Sequence, residues 1–332
     1  MKLLTFTPPE GSGTPRLGAL LRNAIVDLGE ARQWAQERRG LPLENLPESM
    51  FELIAAGTPA LAYARNLINV LEGVDPIQTQ TTGHNLVGFR PEEVALLPPL
   101  LRPMSLRDFN AFEGHVSAAF AIRGREVPAE WYQFPVFYFS NPNSIFGPGE
   151  MVPHPSYTQA MDYELEVACI ISKPGINIPP EKAEDYIFGY TIFNDWSARD
   201  VQRMEMKAGL GPAKGKDFAS SLGPWIVTPD ELSGHATERP GVYDLEMKAR
   251  LNGKELSQGN WKNLYYSFGQ MIARASSDVY LLPGDVIGSG TVGTGCLLEL
   301  TRGEGPWLRP GDVVDLEIES LGVLTNRIGL LE

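Results

Sequence analysis

From about Phe134 onward the chain is a succession of short β-type runs cut apart by Pro, Gly and Asn: FPVFYF, ELEVACII, YTIFND, PWIVT, YDLEMKARLNG, DVYLL, DVIGSG, CLLELT and DVVDLEIESLG. This punctuation constrains the fold more than any other feature. In βαβ units each strand is followed by a helix long enough to cross back over the sheet, and these runs leave no room for that. They predict a sandwich, barrel or roll. Helical spacing in this part is confined to 181–188, 195–208 and about 263–276. Two runs follow the same turn, Pro283-Gly284-Asp285 and Pro310-Gly311-Asp312, whose Pro and Gly suit the second and third positions of a type II turn. No internal repeat of the solenoid kind is present.

The first hundred residues read differently. RLGALLRNAIVDL (16–28) predicts two short strands around Arg22-Asn23. ESMFELIAAG and PALAYARNLINVLEG carry apolar residues at helical spacing, and each ends in a glycine that can act as a stop. VALLPPLLRPM (94–104) holds three prolines, which break helices and central strands alike, and reads as a linker. With 332 residues the chain can bury one large core or two unequal ones. The expectation is an α+β, mainly β protein: a small N-terminal domain over 1–100 and a mixed β-roll or sandwich over 101–332.

Charge and cysteine usage narrow the partners. A net charge of −13 argues against nucleic acid or an anionic membrane surface, since both need a basic face. The apolar start MKLLTFTPP is cut off by Pro8 and Pro9, too short for a signal-peptide core, and no run approaches the ~20 residues of a membrane span. Cys169 and Cys296 lie far apart in apolar runs and read as buried small hydrophobes in a reducing cytoplasm.

Chemistry concentrates in a few segments. In MDYELEVACII (161–171), Asp162, Glu164 and Glu166 alternate with apolar residues, so on a strand they share a face. Like charges side by side destabilise a strand. Water offsets that if the face is exposed; a hard cation with oxygen ligands does so if it lines a pocket. YTIFND ends in Asp195, placed at a strand–helix junction either as a ligand or as a helix N-cap. In RDFNAFEGHV, His115 stands seven residues after Asp108 and is the one histidine flanked by acids; His84, His154 and His235 read as surface residues. GSGTVGTG (288–295) contains a formal G-x-G-x-x-G, but the next run, CLLELT, reads as a strand rather than a helix, which excludes a dinucleotide fingerprint. The segment reads instead as a loop passing close to a ligand, with N–H groups available for an oxyanion. GPAKGKDF (211–218) offers Lys214 and Lys216 as cations.

In this order, Asp108 and His115, Glu164-Leu-Glu166, NDWSARDVQ (194–202), Gly215-Lys216-x-Phe218 and Gly290-Thr291…Glu299 resemble the fumarylacetoacetate hydrolase family over roughly 100–332. The resemblance implies a β-roll catalytic domain, a divalent cation (Mg2+ or Ca2+, with Mn2+ as an option) and a homodimer. It implies that Asp108, Glu164, Glu166 and Asp195 are metal ligands, His115 the general base and Glu299 the carboxylate that orients it. Lys216 and Gln202 match polar groups near the reacting carbonyl, Thr291 a substrate contact and Tyr138 a pocket tyrosine. Ser220 falls where some members hold a second, structural cation. Three positions depart from the animal fumarylacetoacetase pattern: Asn110 and Met206 stand where it has tyrosine, and Gly124 where it has arginine, with Arg123 and Arg125 beside it. All three concern substrate contacts.

The activity so implied is hydrolysis of a carbon–carbon bond in a small diketo acid, fumarylacetoacetate or an acylpyruvate. Decarboxylation or isomerisation of a 2-keto acid on the same scaffold is one rival. A catalytically silent metal-binding scaffold is the other.

Overall fold

The computed structural model describes residues 1–9 and 13–330. The chain opens with β1 (Lys2–Thr7), β2 (Arg16–Leu21) and β3 (Ala24–Asp27), passes through α1 (Leu28–Arg39) and α2 (Met50–Val70), and returns by β4 (Gly88–Phe89) and β5 (Ala95–Leu97). Next come β6 (Leu106–Phe109), α3 (Glu113–Ile122), β7 (Phe137–Ser140), β8 (Ile145–Phe146), β9 (Met151–Pro153), β10 (Met161–Asp162) and β11 (Leu165–Ile171). The next stretch holds β12 (Ile187–Asp195), β13 (Ser197–Ala198), α4 (Arg199–Ala208), β14 (Ser220–Val227), β15 (Glu246–Leu251) and β16 (Lys254–Asn260). The C-terminal stretch holds α5 (Phe268–Ala275), β17 (Val286–Gly288), α6 (Leu297–Leu300), β18 (Val313–Ile318) and β19 (Gly322–Gly329).

Local rules account for most boundaries. Asp27 accepts hydrogen bonds from the Gly29 and Glu30 amides to start α1, and Ser49 caps α2 in the same way. The two helical runs read from sequence are one kinked element: Gly57 takes a left-handed φ of 70° and Pro59 restarts the helix. Ser267 and Gln270 form a capping box at α5. Gly284 and Gly311 adopt φ of 84° and 99°, as type II turns require.

Ten strands run in the order β4-β3-β2-β1-β14-β12-β11-β17-β6-β7, with β5 beside β1 and β8 beside β14. A second sheet has the order β16-β15-β18-β19-β9. The fold is α+β with mixed sheets. Leu165, Val167, Cys169 and Ile171 of β11 pack with Met247, Leu316 and Ile318 of the second sheet. Ala168 and Ile170, on the opposite face, pack with Phe193, Val286 and the helical residues Trp34, Leu53 and Ile54. Each Leu, Ile, Val, Met or Phe among them contributes roughly 1.5–3 kcal/mol on burial. Glu166 shares the second face by strand alternation, so α1 and α2 cover its apolar end while acid occupies the other.

Three sequence expectations change. CLLELT holds the helical turn α6 rather than a strand. DVYLL is mostly turn, with only Leu281 bridging to Gly175. Part of the proline-rich linker is β5, paired with β1, and β1 itself pairs with β14, so strands of the first hundred residues extend the large sheet.

Candidate metal and catalytic site

Four strands and one loop bring the acids together. Asp108 on β6 lies across β17 from β11, opposite Gly288 in register. A Cβ at Gly288 would lie 2.6 Å from Asp108 Oδ1 and 2.8 Å from the Phe193 ring, so only glycine leaves space for that carboxylate. Glu166 on β11 pairs with Phe193 of β12, and Asp195 ends β12. Glu164 precedes β11, its amide held by the Asn194 side chain at 2.9 Å. All four are buried, and ligand oxygens from each lie within 4.8 Å of one another.

Concentrated like charge out of water must be relieved. Burial, and then the neighbouring Asp195, push the Asp108 carboxyl up to about 8. Burial and Asp108 raise Glu166 well above its ordinary value. Burial raises Asp195 too, against the pull of Lys216. Glu164 goes the other way: burial opposes its ionisation, but the Lys216 and Arg199 cations hold it below the carboxylate range. Lys216 Nζ donates to Glu164 and, at 2.5 Å, to Asp195; Arg199 Nη1 pairs with Glu164 at 2.8 Å. Burial disfavours the ammonium, yet those two carboxylates raise Lys216 above its usual value. Tyr138 donates to Asp108 at 2.7 Å and to Asp195.

Buried Asp195 Oδ1 has no hydrogen-bond partner among the described residues. An orphaned carboxylate oxygen inside an all-oxygen set fits a hard divalent cation such as Mg2+, Ca2+ or Mn2+.

The second half of the site stands on helices. His115, in the first turn of α3, has Nδ1 2.6 Å from Glu299 Oε1 on α6, and the other Glu299 oxygen accepts from the Thr294 amide at 3.0 Å. Cys296 Sγ lies 3.6 Å from Glu299 and 4.0 Å from His115 Nδ1, a proximity that its apolar sequence context did not signal.

Asp162 does not join the acid cluster, contrary to the single face expected for residues 162, 164 and 166. The chain leaves strand geometry between β10 and β11, and Asp162 turns to the N-terminus of α6, accepting from the Leu297 and Leu298 amides at 2.8 and 2.9 Å. Arg199 Nε donates to it at 2.8 Å. Arg199 thus links Glu164 to Asp162, a role sequence reading missed; its one signal was a cation just after Asp195. Nor is the glycine loop an open oxyanion nest. The Gly290 amide donates to Glu166 at 2.9 Å and to Asp108 at 3.2 Å, while the Ser289, Val292 and Gly295 amides bond backbone carbonyls. These amides serve the carboxylates, β11 and the loop's own turn. The loop leaves β17 and meets only the four-residue α6, so the dinucleotide reading still fails.

A cavity of about 480 Å³ opens onto both halves. Asp108, His115, Glu164, Glu166 and Lys216 form its polar end, with Gln202, Thr291, Asn110 and Tyr138 beside them. Gln202 Oε1 accepts from Arg199 at 3.2 Å, and Thr291 Oγ1 lies 3.4 Å from Glu166. Phe120, Trp131, Phe137, Met206 and Leu210 supply apolar wall. Arg123 lines it too, on the exposed side. Ser220 is buried opposite Asp195 in register. His84 is exposed, while His154 and His235 are half-buried away from the cavity.

Oxygen donors beside a hydrogen-bonded His–Glu pair, around one cavity, are the architecture of an enzyme. The chain belongs to the fumarylacetoacetate hydrolase family: the fumarylacetoacetate (FAA) hydrolase C-terminal model matches residues 106–329. An oxaloacetate tautomerase of Bacillus subtilis is 31% identical over 317 residues, covering 92% of this chain and 93% of that one. The structure of a fumarylacetoacetate hydrolase from psychrophilic Exiguobacterium antarcticum aligns over the whole of both chains, with a TM-score of 0.70 and 26% identity. The same fold, at 22% identity and a TM-score of 0.67 over all of both chains, is that of a maleylpyruvate hydrolase from Sphingobium sp. SYK-6, solved with manganese(II) and pyruvate. The family contains hydrolases, isomerases and tautomerases acting on small molecules. Among the described residues, no helix is long and apolar enough to cross a membrane.

Proposed function

We propose that this chain is a divalent-cation-dependent hydrolase that cuts a carbon–carbon bond in a 1,3-diketo acid, with fumarylacetoacetate, cleaved to fumarate and acetoacetate, as the best single substrate. The observation that carries this reading is His115, backed by Glu299 at 2.6 Å, lining the same cavity as the buried carboxylates. Asp108, Glu164, Glu166 and Asp195 would hold the cation, which supplies Lewis acidity toward carbonyl oxygens when bound. Glu299 occupies Nδ1 of His115 and leaves Nε2 to take a proton from water as that water attacks the carbonyl carbon. Lys216 and the Gln202 amide supply positive charge and a donor for the tetrahedral oxyanion. The bond between the attacked carbon and its neighbour then breaks, its electron pair leaves as an enolate, and the proton held on His115 returns to that carbon. Arg123 offers a cation to a distal carboxylate, and Asn110 and Met206 shape the space. All these groups lie in 101–332, with residues 1–100 as supporting domain; the working form is a cytoplasmic homodimer.

A second reading, tautomerisation or decarboxylation of a 2-keto acid, is favoured by the oxaloacetate tautomerase relative, whose match runs nearly the length of both chains. Incubation with fumarylacetoacetate, acylpyruvates and oxaloacetate, with and without Mg2+, and identification of the products separate the two. Cleavage of a diketo acid that stops on chelation supports the hydrolase. Turnover of oxaloacetate alone overturns it.

A further inference from the structure

Cys296 has no part in the proposed hydrolysis, yet its sulfur stands with the imidazole and carboxylate of His115 and Glu299. Donor atoms of the three lie within 4.8 Å of one another. Around a tetrahedral Zn2+, nitrogen, oxygen and sulfur donors sit roughly 2.0–2.3 Å from the ion and so about 3.3–3.8 Å from each other. The sulfur is 3.6 Å from Glu299 Oε1 and 4.0 Å from His115 Nδ1, close to that spacing already. Only the His115–Glu299 pair, at 2.6 Å, has to open to admit an ion. The second Glu299 oxygen is held by the Thr294 amide at 3.0 Å, the kind of outer contact that orients a ligating carboxylate. His115 lines the cavity, which gives an ion a way in.

We propose that His115, Cys296 and Glu299 form a second metal site, one that takes thiophilic Zn2+ or Cd2+ and silences the base. Its donors are one sulfur, one nitrogen and one oxygen, whereas the carboxylate cluster offers oxygen alone; softness therefore sorts the ions between the two sites. On binding, the Cys296 S–H bond breaks, a metal–sulfur bond forms and the proton leaves to solvent. The imidazole proton moves from Nδ1 to Nε2, and Nδ1 ligates the metal. Thiolate and carboxylate balance the two charges of the ion. His115 then carries a proton on the nitrogen that has to accept one, so catalysis stops. That last consequence rests on the proposed role of His115; the binding does not.

The test titrates the protein with Cd2+ in saturating Mg2+, which keeps the oxygen site filled, and reads the ultraviolet sulfur-to-cadmium charge-transfer band alongside turnover. One Cd2+ per chain should produce the band and abolish activity, with recovery on chelation. Cys296→Ser and Cys296→Ala should lose both responses and keep their Mg2+-supported activity, while Cys169→Ser should behave as wild type. Absence of the band from the wild-type protein, or its persistence in both Cys296 variants, overturns the site. If the protein turns over none of the keto acids tried, the band alone still decides the site.

Discussion

The carboxylate cluster and the His115–Glu299 pair share a cavity but reach it by opposite routes. The acids are fixed on sheet strands and one tight loop, buried, with three of the four raised above their ordinary values and one oxygen left without a partner among the described residues. The pair stands on two short helices, and each member satisfies the other at 2.6 Å. One half has its hydrogen bond closed as folded; the other, in the function proposed above, is completed by a cation. Removing a group from each half should therefore fail in different ways, and that difference is what experiments can break.

The largest effect is expected at the incomplete half. Asp195→Asn keeps the shape of the side chain but removes a charge from the donor set. Bound at about a hundred times its Kd, a ligand adds about 2.7 kcal/mol to stability, so Mg2+ or Mn2+ should raise the wild-type Tm. Asp195→Asn should lose both that rise and the activity. A variant stabilised by Mg2+ as much as wild type would break the assignment of Asp195. At the complete half, His115→Ala should lower kcat by ~10²–10⁴-fold while the Mg2+-dependent rise in Tm stays. Retained activity would remove His115 as the base; a lost Tm rise would merge the two halves into one.

Asp162 is where the halves meet, through Arg199 to Glu164 on one side and through the first amides of α6 toward Glu299 on the other. Asp162→Asn should lower kcat roughly 10–100-fold, the range for groups that orient ligands and catalytic residues, with KM changed less. If Asp162 acts through α6, its effect should largely vanish in a Glu299→Gln background. Strictly additive losses would show that Asp162 only supports the fold.

The legibility of the molecule in its sequence divides along the same line. Strand alternation put Glu164 and Glu166 on one face, and the short punctuated runs indicated the β-rich class, because both are local rules; that the face is buried was not legible from alternation alone. Glu299 lies 184 residues from His115, so only the family resemblance could join them. Asp162 was misplaced because alternation was extended back beyond the start of β11 at Leu165, where backbone geometry changes. CLLELT was misread because so short a mostly apolar segment cannot distinguish a buried strand from a helical turn. The glycine loop's amides could not be assigned from sequence, since their partners, Glu166 and Asp108, arrive from other strands.

The smallest effect separates the halves by pH. Asp108 has its folded value at about 8 against an ordinary 3.8. Between those values the folded chain keeps a proton that the unfolded chain gives up, so stability contributed by this group is full below the ordinary value and is lost as pH rises toward 8. Glu166 acts in the same direction. Glu164, held low by Lys216 and Arg199 although burial opposes it, contributes stability that disappears only as pH falls below the ordinary glutamate range, outside this window. In EDTA the Tm should therefore fall by roughly a few degrees between about pH 5 and about pH 8. Saturating Mg2+ should flatten that slope, because the ion takes the deprotonated carboxylates and binds more tightly as pH rises. Asp108→Asn should flatten the EDTA curve as well, having no proton to lose, whereas His115→Ala should leave the difference between the EDTA and Mg2+ curves in place. Parallel curves with and without Mg2+ would mean that the carboxylates do not titrate against a cation, and the contrast between an incomplete and a complete half would fall.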